Sequence, residues 1–306
     1  MTQLSLHFLG TGGSWPSVQR NVSALALKRG SDVLLFDCGE GTQRQFQKSQ
    51  LSYMQISSIF ITHFHGDHFL GLPGLIQTFQ LNDRKKPLHV YGPKGMVSLM
   101  DQLLHLGYFS PSFSIIPHEI QNGHIIGFNG YSITVMQVCH NVPTVAYCYE
   151  EEPRPGKFDK PKALRLGIPE GPLFSRLQKG SSITLKNGTT IKPEEILGPK
   201  RPGRKIVVSG DTTPVDSMIS FAKNADILIH DATFLSDMAQ TANDYGHSTV
   251  HQAATIAAQA GVSKLFLTHI SPRYLDRKLI EKEARQIFTE SYVPRDFDVV
   301  EVPLKK

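Results

Sequence analysis

Short apolar runs alternate along most of the chain with segments of helical periodicity. Ser5–Leu9, Ala24–Leu27, Val33–Phe36, Ile56–Thr62, Leu88–Tyr91 and Tyr131–Val138 read as strands. A second set follows at Lys205–Ser209, Asp226–Ile229, Lys264–Thr268 and Asp298–Val302. The pattern predicts helices over Phe69–Leu81, Gly95–Leu106, Thr213–Ala222, Thr249–Ala260 and Arg277–Phe288. Strands interleaved with helices predict an α/β fold. The opening Met1–His7 lacks a basic stretch followed by an apolar one, so it reads as the first strand and not as a secretion signal.

Residues 150–204 interrupt this pattern. They hold eight prolines between Pro153 and Pro202, a density that forbids long helices and central strands. Leu164, Leu166, Ile168, Leu173, Phe174 and Leu177 argue against complete disorder. The segment reads as a Pro/Gly-rich arm protruding from a single domain over 1–306. Asn187-Gly188 marks a hairpin turn within Ile183–Ile191. The arm also concentrates charge. The chain is +5 overall, yet residues 153–205 hold 13 basic and 4 acidic residues, a net of +9, and the remainder is −4. Such a segment is either a solvated surface or a footprint for a polyanion.

Composition narrows the class. A chain of 306 residues, 40% hydrophobic and 19% charged, is ordinary for a globular protein. No apolar run approaches ~18 residues, so a membrane span is not expected. Cys38, Cys139 and Cys148 are odd in number and form no CxxC pair, which fits a reducing cytoplasm.

The densest chemistry is Thr62-His63-Phe64-His65-Gly66-Asp67-His68, directly after Ile59-Phe60-Ile61. Imidazole and carboxylate donors suit zinc and similar divalent ions, and Gly66 allows the tight turn that lets them converge. Unliganded, four such groups packed together would repel when protonated. His140, Asp211 and His269 each follow a strand-like run. In α/β folds functional groups gather at one end of the strands.

His63-x-His65-x-Asp67-His68, with His140, Asp211 and His269 on later strand ends, resembles the metallo-β-lactamase superfamily. Within it the chain is similar to the tRNase Z family of tRNA 3′-processing endonucleases, in the short form. Leu9–Gly13 with Pro16–Asn21 resembles that family's first loop, and Phe36–Gln43 its first motif. Gly171–Phe174 and Leu177–Gly180 resemble its flexible arm; His230–Phe234, Gly246–Thr249 and Leu267–Ser271 resemble its C-terminal motifs. The resemblance implies a two-sheet sandwich flanked by helices (αββα) with a protruding flexible arm. It implies two Zn2+ per chain, one on His63, His65 and His140, the other on Asp67, His68 and His269, with Asp211 bridging. Seven ligands are too many for one tetrahedral ion and suit two with positions open for water.

The resemblance also implies a substrate, precursor tRNA, a cytoplasmic homodimer and no membrane. Asp67 takes the base role and orients the attacking water. His247, just before a helix start with a Thr249–Gln252 capping box, is either a general acid or a phosphate contact. Asp231 is placed to bond His247, and Asp37 to bond a ligand imidazole. Arg20, Asn21 and Arg273 are candidate RNA contacts; His230 is a further candidate support. Two positions depart from the family: Val18 replaces a lysine in the first loop, and Asp231 replaces a glutamate. Two other readings stay open: a small-substrate hydrolase on the same metals, and an RNA-binding protein with a decayed site.

Overall fold

Most strands are buried on both faces, and this sets the layers of the computed structural model. It describes residues 2–305; Met1 and Lys306, the ends of the expected domain, lie outside. β1 (Leu4–Gly10), β2 (Ala24–Arg29), β3 (Asp32–Phe36), β4 (Ile56–Phe60), β5 (Leu88–Gly92) and β6 (Ile115–Glu119) lie side by side in one sheet. β1 to β3 pair antiparallel, and β3 to β6 parallel. β7 (Ile125–Phe128), β8 (Tyr131–Val138) and β9 (Thr144–Glu151) begin the second sheet. β10 (Ile183–Thr184) and β11 (Thr190–Ile191) form a separate hairpin in the arm. β12 (Lys205–Val208), β13 (Ile227–Asp231), β14 (Lys264–Thr268) and β15 (Ser291–Tyr292) complete the second sheet in the order β15-β14-β13-β12-β9-β8-β7. β16 (Val299–Glu301) returns to the first sheet beside β1.

Successive side chains on a strand face opposite ways, so each buried strand serves two cores. On β1, Leu4, Leu6 and Phe8 enter the layer between the sheets, while Leu9 joins the outer helical layer. On β9, Val145, Tyr147 and Tyr149 enter the central layer, while Ala146 and Cys148 join the helices behind the second sheet. Helices Leu72–Leu81 and Met96–Leu104 cover the first sheet. Ser217–Phe221, Val250–Ala260 and Arg277–Arg285 cover the second. This is the αββα sandwich expected.

Two of the expected helices are cut short at a proline. The expected Phe69–Leu81 divides into a turn, Gly66–Phe69, and a helix from Leu72, because Pro73 has no N–H to donate and sits where a helix starts. Thr213–Ala222 shortens to Ser217–Phe221, beyond Pro214. β6, β7, β9 and β15 were not expected, nor were the helices Thr42–Lys48 and Ala239–Asp244.

The arm is more ordered than its prolines suggest. Lys160–Arg165, Pro172–Gln178 and Pro193–Ile196 are short helices, each with proline in its first turn. Proline there starts helices instead of breaking them. They pack with β10 and β11 around Ala163, Ile168, Leu177, Ile183, Ile191 and Ile196, a core separate from the sandwich. The hairpin turns at Gly188, φ 83°. At the neck Arg154 and Arg201 exchange backbone hydrogen bonds of 2.8 and 2.9 Å. Arg204 does not add to the arm's free charge: it is buried on Glu151, with Nη2 2.7 Å and Nε 2.8 Å from the carboxylate.

Candidate metal centre

Strand ends and the turns that follow them bring all seven candidate ligands together. β4 ends at Phe60; the loop holding His63 and His65 runs into the turn Gly66–Phe69, which carries Asp67 and His68. His140 follows β8, Asp211 follows β12 and His269 follows β14. His65 Nδ1 lies 3.1 Å from His63 Nε2 and 3.2 Å from His140 Nε2. Asp67 Oδ2 lies 3.2 Å from His269 Nε2 and 3.6 Å from His68 Nε2. Asp211 Oδ2 stands between the two groups, 3.2 Å from His269 Nε2, 3.3 Å from His68 Nε2 and 3.7 Å from His63 Nε2. Ligands on one tetrahedral ion at bonds of about 2.0–2.1 Å lie about 3.3 Å apart. The spacing fits. His68 Nε2 is also buried without a hydrogen-bond partner, the mark of a nitrogen reserved for something else.

The opposite ring nitrogens are tied down. Asp37 Oδ2 accepts from His68 Nδ1 at 2.8 Å, and Gly246 O from His140 Nδ1 at 2.7 Å. Thr62 Oγ1 lies 3.0 Å from His63 Nδ1, and Thr233 Oγ1 2.8 Å from His269 Nδ1. Such partners fix each ring's tautomer and aim its free lone pair inward. Asp37 and His269 hold this geometry at φ 56° and 59°, a backbone region costly outside glycine.

Asp231 anchors the opposite wall. One oxygen accepts from His247 Nδ1 at 2.9 Å and Thr212 N at 3.1 Å, the other from Thr233 N and Thr233 Oγ1 at 3.1 and 2.7 Å. The His247 ring stacks on His269 with centroids 4.9 Å apart. The Thr249–Gln252 capping box forms as expected, with bonds of 2.8 and 3.2 Å, and starts the helix Val250–Ala260.

Burial lowers His63 well below the ordinary imidazole range, and His68 adds to it. Burial works against the Asp211 carboxylate, but His269 and His68 hold it well below the ordinary range. Burial likewise opposes a charged His68, yet Asp211 and Asp37 hold it well above its usual value. Excess negative charge around His68 is what a bound cation would neutralise. His247 is carried up to about 9: burial opposes its charge, and Asp231 more than offsets that.

The substrate candidates lie around the first loop and beyond β14. Arg20 Nη1 donates to Thr11 Oγ1 at 2.5 Å and Pro294 O at 2.8 Å; Asn21 Nδ2 donates to Glu40 O at 2.9 Å. Both therefore brace the first loop. Val18 is fully exposed on that loop. Arg273 is exposed, 5.2 Å above the Phe234 ring. His230 differs from expectation: alternation along β13 turns it into the helical layer, fully buried, where its Nδ1 donates to the backbone Asp231 O at 2.8 Å and not to the carboxylate.

Sequence reasoning missed four residues. Thr62 and Thr233 sit beside named candidates in sequence, which was their only signal. Gly13 lies so flat on His269 that a methyl group there would come within 2.3 Å of the ring. Asp296 accepts from Asn21 N at 2.6 Å and Thr11 Oγ1 at 2.8 Å, tying the C-terminal segment to the first loop.

Known proteins resemble the chain throughout. Ribonuclease Z of Methanosarcina acetivorans is 44% identical over 99% of both chains. Ribonuclease Z of Myxococcus xanthus is 42% identical over the whole of both. The crystal structure of human tRNase Z, short form, aligns with a TM-score of 0.73 at 29% identity, over 98% of this chain and 100% of that one. A profile of the anti-Pycsar protein Apyc1 matches residues 4–149, and one of the beta-lactamase superfamily domain residues 187–270.

Proposed function

The chain belongs to the ribonuclease Z family, and from that premise we propose that it cuts the 3′ trailer from precursor tRNA. Cleavage leaves a 3′-hydroxyl on the tRNA and a 5′-phosphate on the trailer. The supporting observation is a nest of seven convergent ligands on the same chain as a basic arm. A small-substrate hydrolase has no use for such an arm. A decayed RNA-binding protein has no use for an intact ligand set.

His63, His65 and His140 would hold one Zn2+ and Asp67, His68 and His269 a second, with Asp211 shared. When bound, the ions supply a nucleophilic water at neutral pH and a clamp on the phosphate oxygens. Asp67 orients that water by accepting its hydrogen bond. His247, charged through Asp231, gives a proton to the leaving ribose 3′-oxygen or bonds the phosphate beside the helix N-terminus. Asp37 and Asp231 hold the rings they bond. Arg20 and Asn21 act through the shape of the first loop, and Arg273 contacts RNA.

Assembly as a cytoplasmic homodimer belongs to the same proposal, with one copy's arm serving tRNA at the other's site. Three free cysteines support a reducing compartment. No helix among the described residues is long and apolar enough to cross a membrane.

The test is incubation with a precursor tRNA transcript and end analysis of both products. One cut with the stated ends is expected, abolished by chelator and restored by Zn2+. An intact precursor alongside rapid hydrolysis of a small phosphodiester would reject the tRNA substrate. Elemental analysis should find close to two ions per chain; full activity with one would reject the paired-ion reading.

A further inference from the structure

A cavity of ≈ 920 Å³ opens beside the first loop, and apart from Arg20 and Asn21 its lining plays no part in the roles above. Its walls are Pro16–Asn21, the helix Thr42–Lys48, the start of helix Arg277–Arg285 and Arg295–Phe297. Arg44, Lys48, Arg277, Lys278 and Arg295 line it, and among the described residues none of the five is ion-paired. The acids there are mostly occupied. Asp276 caps the helix through Lys278 N at 2.9 Å, and Asp296 is held by Thr11, Asn21 and Gln45. Glu40 remains at the rim.

The second feature is Phe297. Its backbone sits at φ 73°, pinned by a 2.6 Å bond from its N–H to Phe8 O. A bulky residue there is strained, and glycine or asparagine would be easier. The strain keeps a 39%-exposed ring in the cavity, with Lys48 Nζ 6.0 Å from its centroid. Nothing in the apolar core uses that ring.

We propose that this cavity is a platform for single-stranded RNA, and that its occupant is the 3′ trailer. The proposal rests on the tRNA-cleaving reading above. Unpaired cations alone would serve any phosphate backbone, duplex included. An exposed aromatic ring among them selects a strand whose bases are free to stack. On a precursor tRNA, the free strand beyond the cut is the trailer. The same first loop packs at Gly13 onto His269 and forms one wall of the cavity at Pro16–Asn21, so a strand leaving the metal nest along that loop would reach it. The arm would then hold the tRNA body and this cavity the portion to be discarded.

The test uses full-length protein, its Phe297→Asn variant and a triple variant, Arg44→Gln with Lys48→Gln and Arg295→Gln. Asparagine tolerates the left-handed backbone, so the fold survives removal of the ring. KM is measured on precursors whose trailers are about 1 or about 12 nucleotides long, beside hydrolysis of bis(p-nitrophenyl) phosphate. Binding of a free 12-nucleotide RNA is followed across a salt series. The parent should favour the long trailer, and both variants should lose that preference. Phe297→Asn should weaken the free RNA about tenfold. The triple variant should flatten the salt slope by about 2, at roughly 0.7 per lost phosphate contact. Equal losses on both trailers, or on the small ester, would overturn the proposal and assign the cavity to the tRNA body or to support of the site. So would a parent indifferent to trailer length. If the parent leaves precursor tRNA uncut, the reading of function fails instead, and binding of the free RNA alone decides the cavity.

Discussion

The metal nest and the arm are both polar, yet they are built in opposite ways. In the nest, buried carboxylates, hydroxyls and carbonyls tie down most of the rings, and two residues accept unfavourable backbone angles to stay in place. In the arm, Lys157, Lys162, Arg165, Arg176, Lys179 and Lys186 stand in solvent around a core of six small or medium aliphatic residues. Catalysis needs atoms held to about 0.5 Å, and only dense packing and bonding does that. Attraction to phosphates acts over a Debye length of about 8 Å and needs no fixed geometry. Damage to the nest should therefore act on the chemical step, and damage to the arm on capture of the substrate.

The largest effect should come from Asp67→Ala. It removes an oxygen 3.2 Å from His269 Nε2, so cleavage should nearly vanish and metal content should fall. Full metal content with activity above one part in ~100 would show that the nest tolerates loss of a member. Next, His247→Ala should lower kcat by about 10²–10⁴-fold while elemental analysis stays at the parent value. A normal single-turnover rate would take His247 out of the reaction.

Removing Pro155–Lys200 behind a short Gly/Ser bridge tests the other side of the contrast. The Arg154–Arg201 pairing remains to close the neck. KM for precursor tRNA should rise on the order of tenfold or more and its salt slope flatten, with bis(p-nitrophenyl) phosphate far less affected. Equal losses on both substrates would mean that the arm supports the site. The smallest effect concerns His230, whose pKa is lowered first by burial, with Asp231 opposing. The unfolded chain then takes up a proton that the folded chain refuses, so stability is lost as pH falls below about 6.5. In chelator-treated protein, His230→Met should gain on the parent by at most about 1.4 kcal/mol per pH unit between about pH 6.5 and 5. A gap between their unfolding curves that does not change with pH would show that His230 does not titrate there.

The candidate ligands were legible because metal-binding donor types stand close together at strand ends, where local sequence announces them. Asp67 and His68 are neighbours on one turn, and His269 directly follows the apolar run of β14. Most of the strands were legible for the same reason, through boundaries marked by apolar runs. β9 was not: all but one of its eight residues are buried, so it shows no alternation, and Glu150–Glu152 leads straight into the arm. Asp296 was not legible either. Its partners Thr11 and Asn21 lie 285 and 275 positions away, and a carboxylate in Pro294-Arg295-Asp296-Phe297 looks like any loop acid. Proline in the arm misled in another way, since the same residue that ends a helix from inside begins one at its first turn.

β9 and β12 are adjacent antiparallel strands, paired from Glu150 with Lys205 to Tyr147 with Val208. Topologically the arm is thus an overgrown hairpin connection. The ends of that connection are brought together by the sheet whether it holds five residues or fifty. Closing a flexible loop grows more costly only with the logarithm of its length, about 0.6 kcal/mol for each doubling. The sandwich is accordingly almost indifferent to the size of what is inserted there. Length at this junction is free to vary with the reach a substrate demands, while the strands on either side keep their register.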